Sequence, residues 1–209
     1  MEEELWEACS KGKVEVVRFL QKSRININWQ NQKDDLTPFH SACQNGHIEI
    51  VKLLLNDKRV DFNKAEKDGW TPFYIACYNG CTEIVKLLLS DNRVDFNKAE
   101  NIGRTPLYIA CKKGHIDIVK LLLNDNRVDL NKASNNGWTP FLLACINGET
   151  EVVKYMLESG REIDINKKDN NGKTGLDYAK ENGKTDIVKL IESFQKNPIC
   201  NDSILIYSF

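Results

Sequence analysis

The sequence predicts a mainly α solenoid made of helix-turn-helix units joined by β-hairpin fingers, and three observations carry that prediction. Thr-Pro recurs at Thr37, Thr71, Thr105 and Thr139, each 34 residues after the last, with a fifth threonine at Thr174. Glycine keeps the same beat at Gly12, Gly46, Gly80, Gly114 and Gly148, then at Gly183 after one inserted residue placed near Glu162. Turn doublets Asp68-Gly69, Asn136-Gly137 and Asn171-Gly172, with Ile102-Gly103 as a weaker case, stand just before the threonines. A fixed period of this length marks stacked supersecondary units, and six units are countable.

Within a unit each element has a local cause. Thr71 supplies a hydroxyl that can cap a helix, Pro72 presets φ at its first position, and Gly80 offers a left-handed residue at its end. That defines a first helix of about two turns. Past the glycine, Glu83-Ile84-Val85-Lys86-Leu87-Leu88-Leu89 carries apolar residues at helical spacing, so a second helix packs antiparallel on the first. Between hairpins, Arg93-Val94-Asp95-Phe96-Asn97-Lys98-Ala99 reads as an extended stretch leading into a two-residue turn that projects a finger.

The run Asp68-Gly69-Trp70-Thr71-Pro72-Phe73-Tyr74-Ile75-Ala76-Cys77, followed by Asn79-Gly80 and Glu83-Ile84-Val85-Lys86-Leu87-Leu88, resembles the ankyrin repeat. The resemblance covers residues 1 to about 196. It divides the chain into an N-terminal capping repeat 1–31, internal repeats 32–65, 66–99, 100–133 and 134–168, a C-terminal capping repeat 169–196, and an apolar tail 197–209. It implies a stack whose fingers and first helices line a concave face. Departures are informative. Leu5-Trp6-Glu7-Ala8-Cys9-Ser10-Lys11-Gly12 has lost the Thr-Pro and finger, and Thr174-Gly175 stands where proline is usual, so both end units are expected to be caps whose outer faces tolerate water. Asp35 replaces the finger glycine in the second unit. The histidine that follows Thr-Pro survives only as His40, with Tyr74, Tyr108 and Leu142 in its place elsewhere.

Several chemistries are suggested by short motifs and declined on physical grounds. Of seven cysteines, Cys9, Cys43, Cys77, Cys111 and Cys145 share one repeat position. Packed helices lie about 8–10 Å apart while a disulfide needs Cα atoms within about 7 Å, so in-register thiols are expected to be small buried hydrophobes. Cys43-x3-His47, Cys77-x3-Cys81 and Cys111-x3-His115 mimic paired zinc ligands, but a chain-turning glycine separates the two members and the fourth unit has Glu149 in that slot. No metal or cofactor is expected. Gly172-Lys173-Thr174 and Gly183-Lys184-Thr185 lack the earlier glycine of a phosphate loop, having Lys167 and Tyr178 there. No serine or cysteine has a histidine and carboxylate at a catalytic spacing, so no enzyme is expected. The resemblance also implies that Asn63, Asn97 and Asn131, after Leu89-x5-Asp95-Phe96-Asn97 and its equivalents, stand where finger asparagines of such arrays are hydroxylated. The competing reading is that these amides bridge finger backbone groups.

Function is therefore expected in binding. Twenty-nine Lys and Arg against thirty Asp and Glu leave a net charge of −1, which offers no footprint for nucleic acid or an anionic membrane. The N-terminus is acidic where a secretory signal is basic, and no run of about 18 apolar residues exists, so the expected compartment is the cytoplasm. If the family geometry holds, the variable positions around each finger glycine and at the first-helix ends contact another protein: Leu36, Lys67, Trp70, Ile102, Arg104, Trp138 and Lys173 with Asn135 on the fingers, and Gln44, Tyr78, Lys112, Lys113 and Ile146 on the helices. Trp70, Arg104 and Trp138 share the position after the finger glycine and form the expected centre, because Trp, Tyr and Arg dominate interface energetics. A monomer is expected, with the apolar end Ile204-Leu205-Ile206-Tyr207-Ser208-Phe209 as an alternative route to homotypic assembly.

Overall fold

The computed structural model describes residues 1–196; the tail 197–209, Cys200 and the assembly role read for that tail lie outside the described residues. Twelve helices follow one another among them: α1 Glu2–Ser10, α2 Val14–Gln21, α3 Pro38–Gln44, α4 Ile48–Leu55, α5 Pro72–Tyr78, α6 Thr82–Leu89, α7 Pro106–Lys113, α8 Ile116–Leu123, α9 Pro140–Asn147, α10 Thr150–Glu158, α11 Gly175–Glu181 and α12 Thr185–Lys196. They fall into two compact units, Met1–Ala110 and Cys111 onward, with the boundary inside α7.

In the first unit the first helices α1, α3 and α5 pack in succession, and the second helices α2, α4 and α6 form a parallel layer. The second unit repeats the arrangement, α9 against α11 and α10 against both α8 and α12. Each first helix starts where the sequence places it. The hydroxyls of Thr37, Thr71, Thr139 and Thr174 accept the backbone N–H three residues on, satisfying a donor the helix cannot. The repeating glycines have φ between 65° and 82°, the left-handed conformation that ends the helix. Ile84, Val85 and Leu88 of α6 are buried against Phe73, Ala76 and Cys77 of α5, and α3 with α4 repeats the pattern through Phe39, Ala42, Ile50, Val51 and Leu54. Each wholly buried leucine contributes about 2–3 kcal/mol. The first unit's outer helix α2 turns Glu15 and Arg18 to solvent, and Phe19 is 70% exposed beside them.

The fingers differ from the expected β-hairpins. No strand forms among the described residues. Each finger is a turn closed by a short pair of bonds, Gly69 N–H to Glu66 O at 2.9 Å and Glu66 N–H to Trp70 O at 3.1 Å, with Gly103 and Gly137 alike. The reason is that the polar groups of the arms are taken sideways, by the neighbouring repeats. The amide of Asn63 donates to Arg93 O at 2.7 Å and accepts Asp95 N–H at 2.7 Å, Asn28 does the same for Arg59 O and Asp61 N–H, and Lys98 donates to Asn63 O at 2.7 Å. Asn131 bridges Glu162 O and Asp164 N–H, so Glu162 occupies the place that Arg93 holds two repeats earlier, and the inserted residue sits there as expected. Arginines lock the outer edge. Arg59 is held by Asp57 and donates to Gln21 O and Ser23 O, Arg93 is held by Asp91 and donates to Leu55 O, and Arg161 donates to Leu123 O. Most of the polar residues in the repeated Arg-Val-Asp-Phe-Asn-Lys segment thus serve the stack.

Candidate functional site

Candidate contact positions are the variable ones that keep surface to solvent, some of them while also bonded within the array, as Asn101 is to Lys67 O. In the first unit the fingers present Asp34, Leu36, Lys67, Asp68, Asn101 and Ile102, and the first-helix ends present Gln44 and Tyr78. Leu36 and Tyr78 are half-buried, Gln44 and Lys67 exposed, and Ile102 stands out at 49% exposure. In the second unit Lys112, Lys113 and Asn135 are exposed and Ile146 and Lys173 half-buried.

The three residues after the finger glycine occupy their expected register but are also tied to their own fingers. Arg104 folds back on Glu100, Nε to Oε1 at 3.0 Å and a terminal nitrogen to Oε2 at 3.3 Å. Glu100 is buried; burial works against its ionisation, but the Arg104 fork and backbone N–H groups hold its carboxyl below the usual range. Trp138 donates its indole N–H to Asp169 Oδ2 at 3.0 Å, and Tyr178 donates its hydroxyl to the same oxygen at 2.7 Å. Trp70 lies against Tyr74 and Tyr78, centroids 5.2 and 5.0 Å away, with its indole N–H buried and unpartnered. All three are half-buried and keep part of their surface to solvent.

A pattern behind these contacts was present in the sequence and not read there. Four residues before the position of Trp70, Arg104 and Lys173 stand Glu66, Glu100 and Asp169, each accepting the finger N–H groups: Glu66 from Asp68 and Trp70, Asp169 from Asn171 and Lys173. Asn31 accepts Leu36 N–H in the longer second finger. Ser134 breaks the series, and its buried hydroxyl has no partner. Gly69 and Gly137 are fixed on two counts. Gly69 has φ +88°, and a Cβ on it would lie 2.6 Å from Asn101 Oδ1. Where glycine is absent, Asp35 adopts φ 56°, alone among the non-glycine residues described.

The histidine and cysteines have structural roles. His40 Nδ1 accepts Thr37 N–H at 3.2 Å, which leaves the proton on Nε2 to donate to Trp70 O at 3.0 Å. Burial drives its pKa down to about 4, against the opposing pull of that carbonyl. The five in-register cysteines are buried, free thiols whose pKa values burial raises, to about 12 at Cys9 and Cys145. His47, offered by spacing as a partner of Cys43, instead bonds Ser10 O at 3.0 Å and covers Gly12. The amides of Asn63 and Asn131 are engaged in the inter-repeat bridges described above.

In the first unit, Asp34, Leu36, Glu66, Lys67, Asp68, Trp70, Ile75 and Tyr78 enclose an open slot of about 300 Å³ between the second and third fingers and the ends of α3 and α5. A larger groove of about 890 Å³ runs along the second helices past His47, Lys52, Glu83 and Leu87. No helix of the described residues is long and apolar enough to cross a membrane.

The profile of a family of ankyrin repeats, three copies long, matches residues 5–100, 58–134, 92–169 and 123–202. The crystal structure of EF0377, an ankyrin repeat protein, is similar to this chain at 30% identity and a TM-score of 0.82, covering 92% of this chain and 98% of that one. No curated protein matches the chain. Solved chains that match number 608, so the fold is shared too widely to assign a partner by itself.

Proposed function

Since the chain belongs to the ankyrin-repeat family, whose arrays are in general non-catalytic protein–protein interaction modules, we propose that it is an adaptor or scaffold binding another protein through its finger tips and first-helix ends. The observation that carries this reading is the division of labour among side chains. Polar residues that repeat are consumed between neighbouring repeats, whereas the residues that vary, among them Lys67, Ile102, Lys112 and Lys113, are turned to solvent. An exposed isoleucine at a finger tip, beside Asn101, is the kind of anchor that a partner pocket desolvates. Arg104, Trp138 and Lys173 act on this reading as contact residues that also hold the finger in shape. Leu36, Trp70, Tyr78 and Ile146 add the apolar part of the surface.

The reading places the protein in the cytoplasm, as a monomer without cofactor or catalytic group. Its test is position-specific cross-linking. A photoreactive side chain at Ile102 should capture a partner from cells, and one at Lys154 on α10 should not. Lys112→Glu/Lys113→Glu should lower capture from position 102 about tenfold, the loss typical of an interface hot spot. Equal capture from Lys154 would refute the face assignment. Turnover of a substrate that survives purification would refute the non-catalytic part.

A further inference from the structure

We infer that the slot between the second and third fingers receives an arginine side chain from an extended segment of the partner protein. This rests on the binding reading above and names the chemistry of what it binds. The walls and the rim each contribute to the argument. Trp70 and Tyr78 form one aromatic wall with their centroids 5.0 Å apart, and a ring face attracts a cation through its quadrupole. The lining carries three carboxylates, Asp34, Glu66 and Asp68, against one ammonium, Lys67, an excess of two negative charges (3 − 1) in a chain whose net charge is only −1. Glu66 is engaged with the finger N–H groups, so Asp34 and Asp68 at the rim are the acceptors a guest would meet.

The protein already uses this pairing on its own fingers. At the register of Trp70 in the next repeat stands Arg104, its guanidinium forked onto a carboxylate. At the same register in the last repeat, Lys173 Nζ lies 5.3 Å over the ring of Tyr178. In the slot itself, Lys67 Nζ sits 3.7 Å from Asp34 and so partly neutralises the rim when no guest is present. A planar guanidinium can lie flat on the indole while its edge meets a carboxylate through two parallel N–H groups, a fork that a point-charge ammonium lacks. The volume, about 300 Å³, admits one such side chain and excludes a folded element.

The test uses acetyl-Gly-Arg-Gly-amide, its neutral isostere with citrulline, and the glutamate counterpart, titrated into the full chain. Binding is followed by the indole N–H signal of Trp70, assigned with Trp70→Phe. The arginine peptide should move that signal saturably and bind about three- to tenfold more tightly than the citrulline peptide at low salt. Asp34→Asn/Asp68→Asn should abolish that preference, Asp68→Asn alone should halve it or more, and Lys67→Met should strengthen arginine binding. Both carboxylates lie at exposed or half-exposed finger positions, and unchanged melting of the variants confirms that their folds are intact. Equal binding of citrulline, preference for glutamate, a preference unaltered in the double variant, or no movement of the signal would each overturn the inference. Capture from Ile102 is read separately. If it persists while the arginine peptide fails, this inference falls and the broader function stands; if it fails while the peptide binds, the reverse holds.

Discussion

The indole of Trp138 and the carboxylate of Asp169, 31 residues apart in sequence and on successive fingers, are joined by a hydrogen bond of 3.0 Å. The bond makes a tryptophan at a proposed contact position part of the support of the next finger. Asp169 is only 6% exposed; burial disfavours its charge, but N–H groups of Lys173 and Asn171 with the Tyr178 hydroxyl and Trp138 indole outweigh that and set its pKa at about 2. A carboxyl depressed below its unfolded value near 3.9 stabilises the fold above that value and loses the contribution as pH falls toward 2. Urea unfolding between pH 5 and pH 2 should therefore show a steeper loss for the native chain than for Asp169→Asn. Trp138→Phe, which keeps a ring and removes one charged-group bond, should cost about 1–2 kcal/mol at pH 7. Parallel acid limbs for native and Asp169→Asn would show that the carboxylate is not held as described.

His40 sets a second, higher pH window. Its ring is wholly buried and neutral, and its pKa of about 4 is below the unfolded value near 6.5. Protons thus bind the unfolded chain more readily, so the neutral ring's contribution is present above pH 6.5 and is lost as pH falls toward 4. His40→Leu, the residue that Leu142 supplies at the same register, should be less stable at pH 7 yet lose less between pH 6.5 and 4.5. A His40→Leu curve parallel to the native one in that interval would contradict the buried, neutral assignment.

Gly69 and Gly172 occupy equivalent finger positions at φ +88° and +78°, but their surroundings differ. A Cβ on Gly69 meets Asn101 within 2.8 Å at both side-chain and backbone atoms, whereas one on Gly172 meets nothing within 4 Å. Gly172→Ala should cost about 1–2 kcal/mol, the left-handed penalty alone. Gly69→Ala should cost at least about 1 kcal/mol more, because backbone must shift to relieve the clash. Chemical denaturation of the two variants compares them directly, and equal costs would mean the finger contact is soft.

The thiols divide by exposure. Cys9, Cys43, Cys77, Cys111 and Cys145 are 0% exposed and their pKa values are raised by burial, so little thiolate is offered to a reagent. Native alkylation followed by mass spectrometry should leave these five unmodified until urea unfolds the chain. Half-buried Cys81 should label first among the described thiols. Fast native labelling of Cys77 or Cys111 would disprove the packing.

Period, capping threonines and left-handed glycines were legible because each is a local rule repeated in register, and Thr71, Pro72 and Gly80 act within one helix. The asparagine bridges were also legible in outline, as backbone bridging was one of the two readings of Asn63. Strand pairing was over-read from the turn doublets, since the residues that intercept the finger arms, such as Asn63 and Lys98, belong to neighbouring repeats. The double use of Arg104 could have been seen in its spacing from Glu100, which matches Glu66 to Trp70. The tie between Trp138 and Asp169 could not, because nothing in a sequence says that an indole leans toward the following finger.

The arginine clamps have a wider meaning. Arg59 and Arg93 close on carbonyl oxygens of Gln21, Ser23 and Leu55, backbone atoms that every residue supplies alike whatever its side chain. This part of neighbour recognition along the array is thus blind to the neighbour's side chains, unlike the Trp138–Asp169 bond. A whole unit cut out or duplicated at its natural joint meets the receptors that the old neighbour met, and the surface residues travel with it unexamined. Such a chain can lengthen, shorten or reshuffle its outer surface by recombination, with the arginine clamps at the seams needing no matching change.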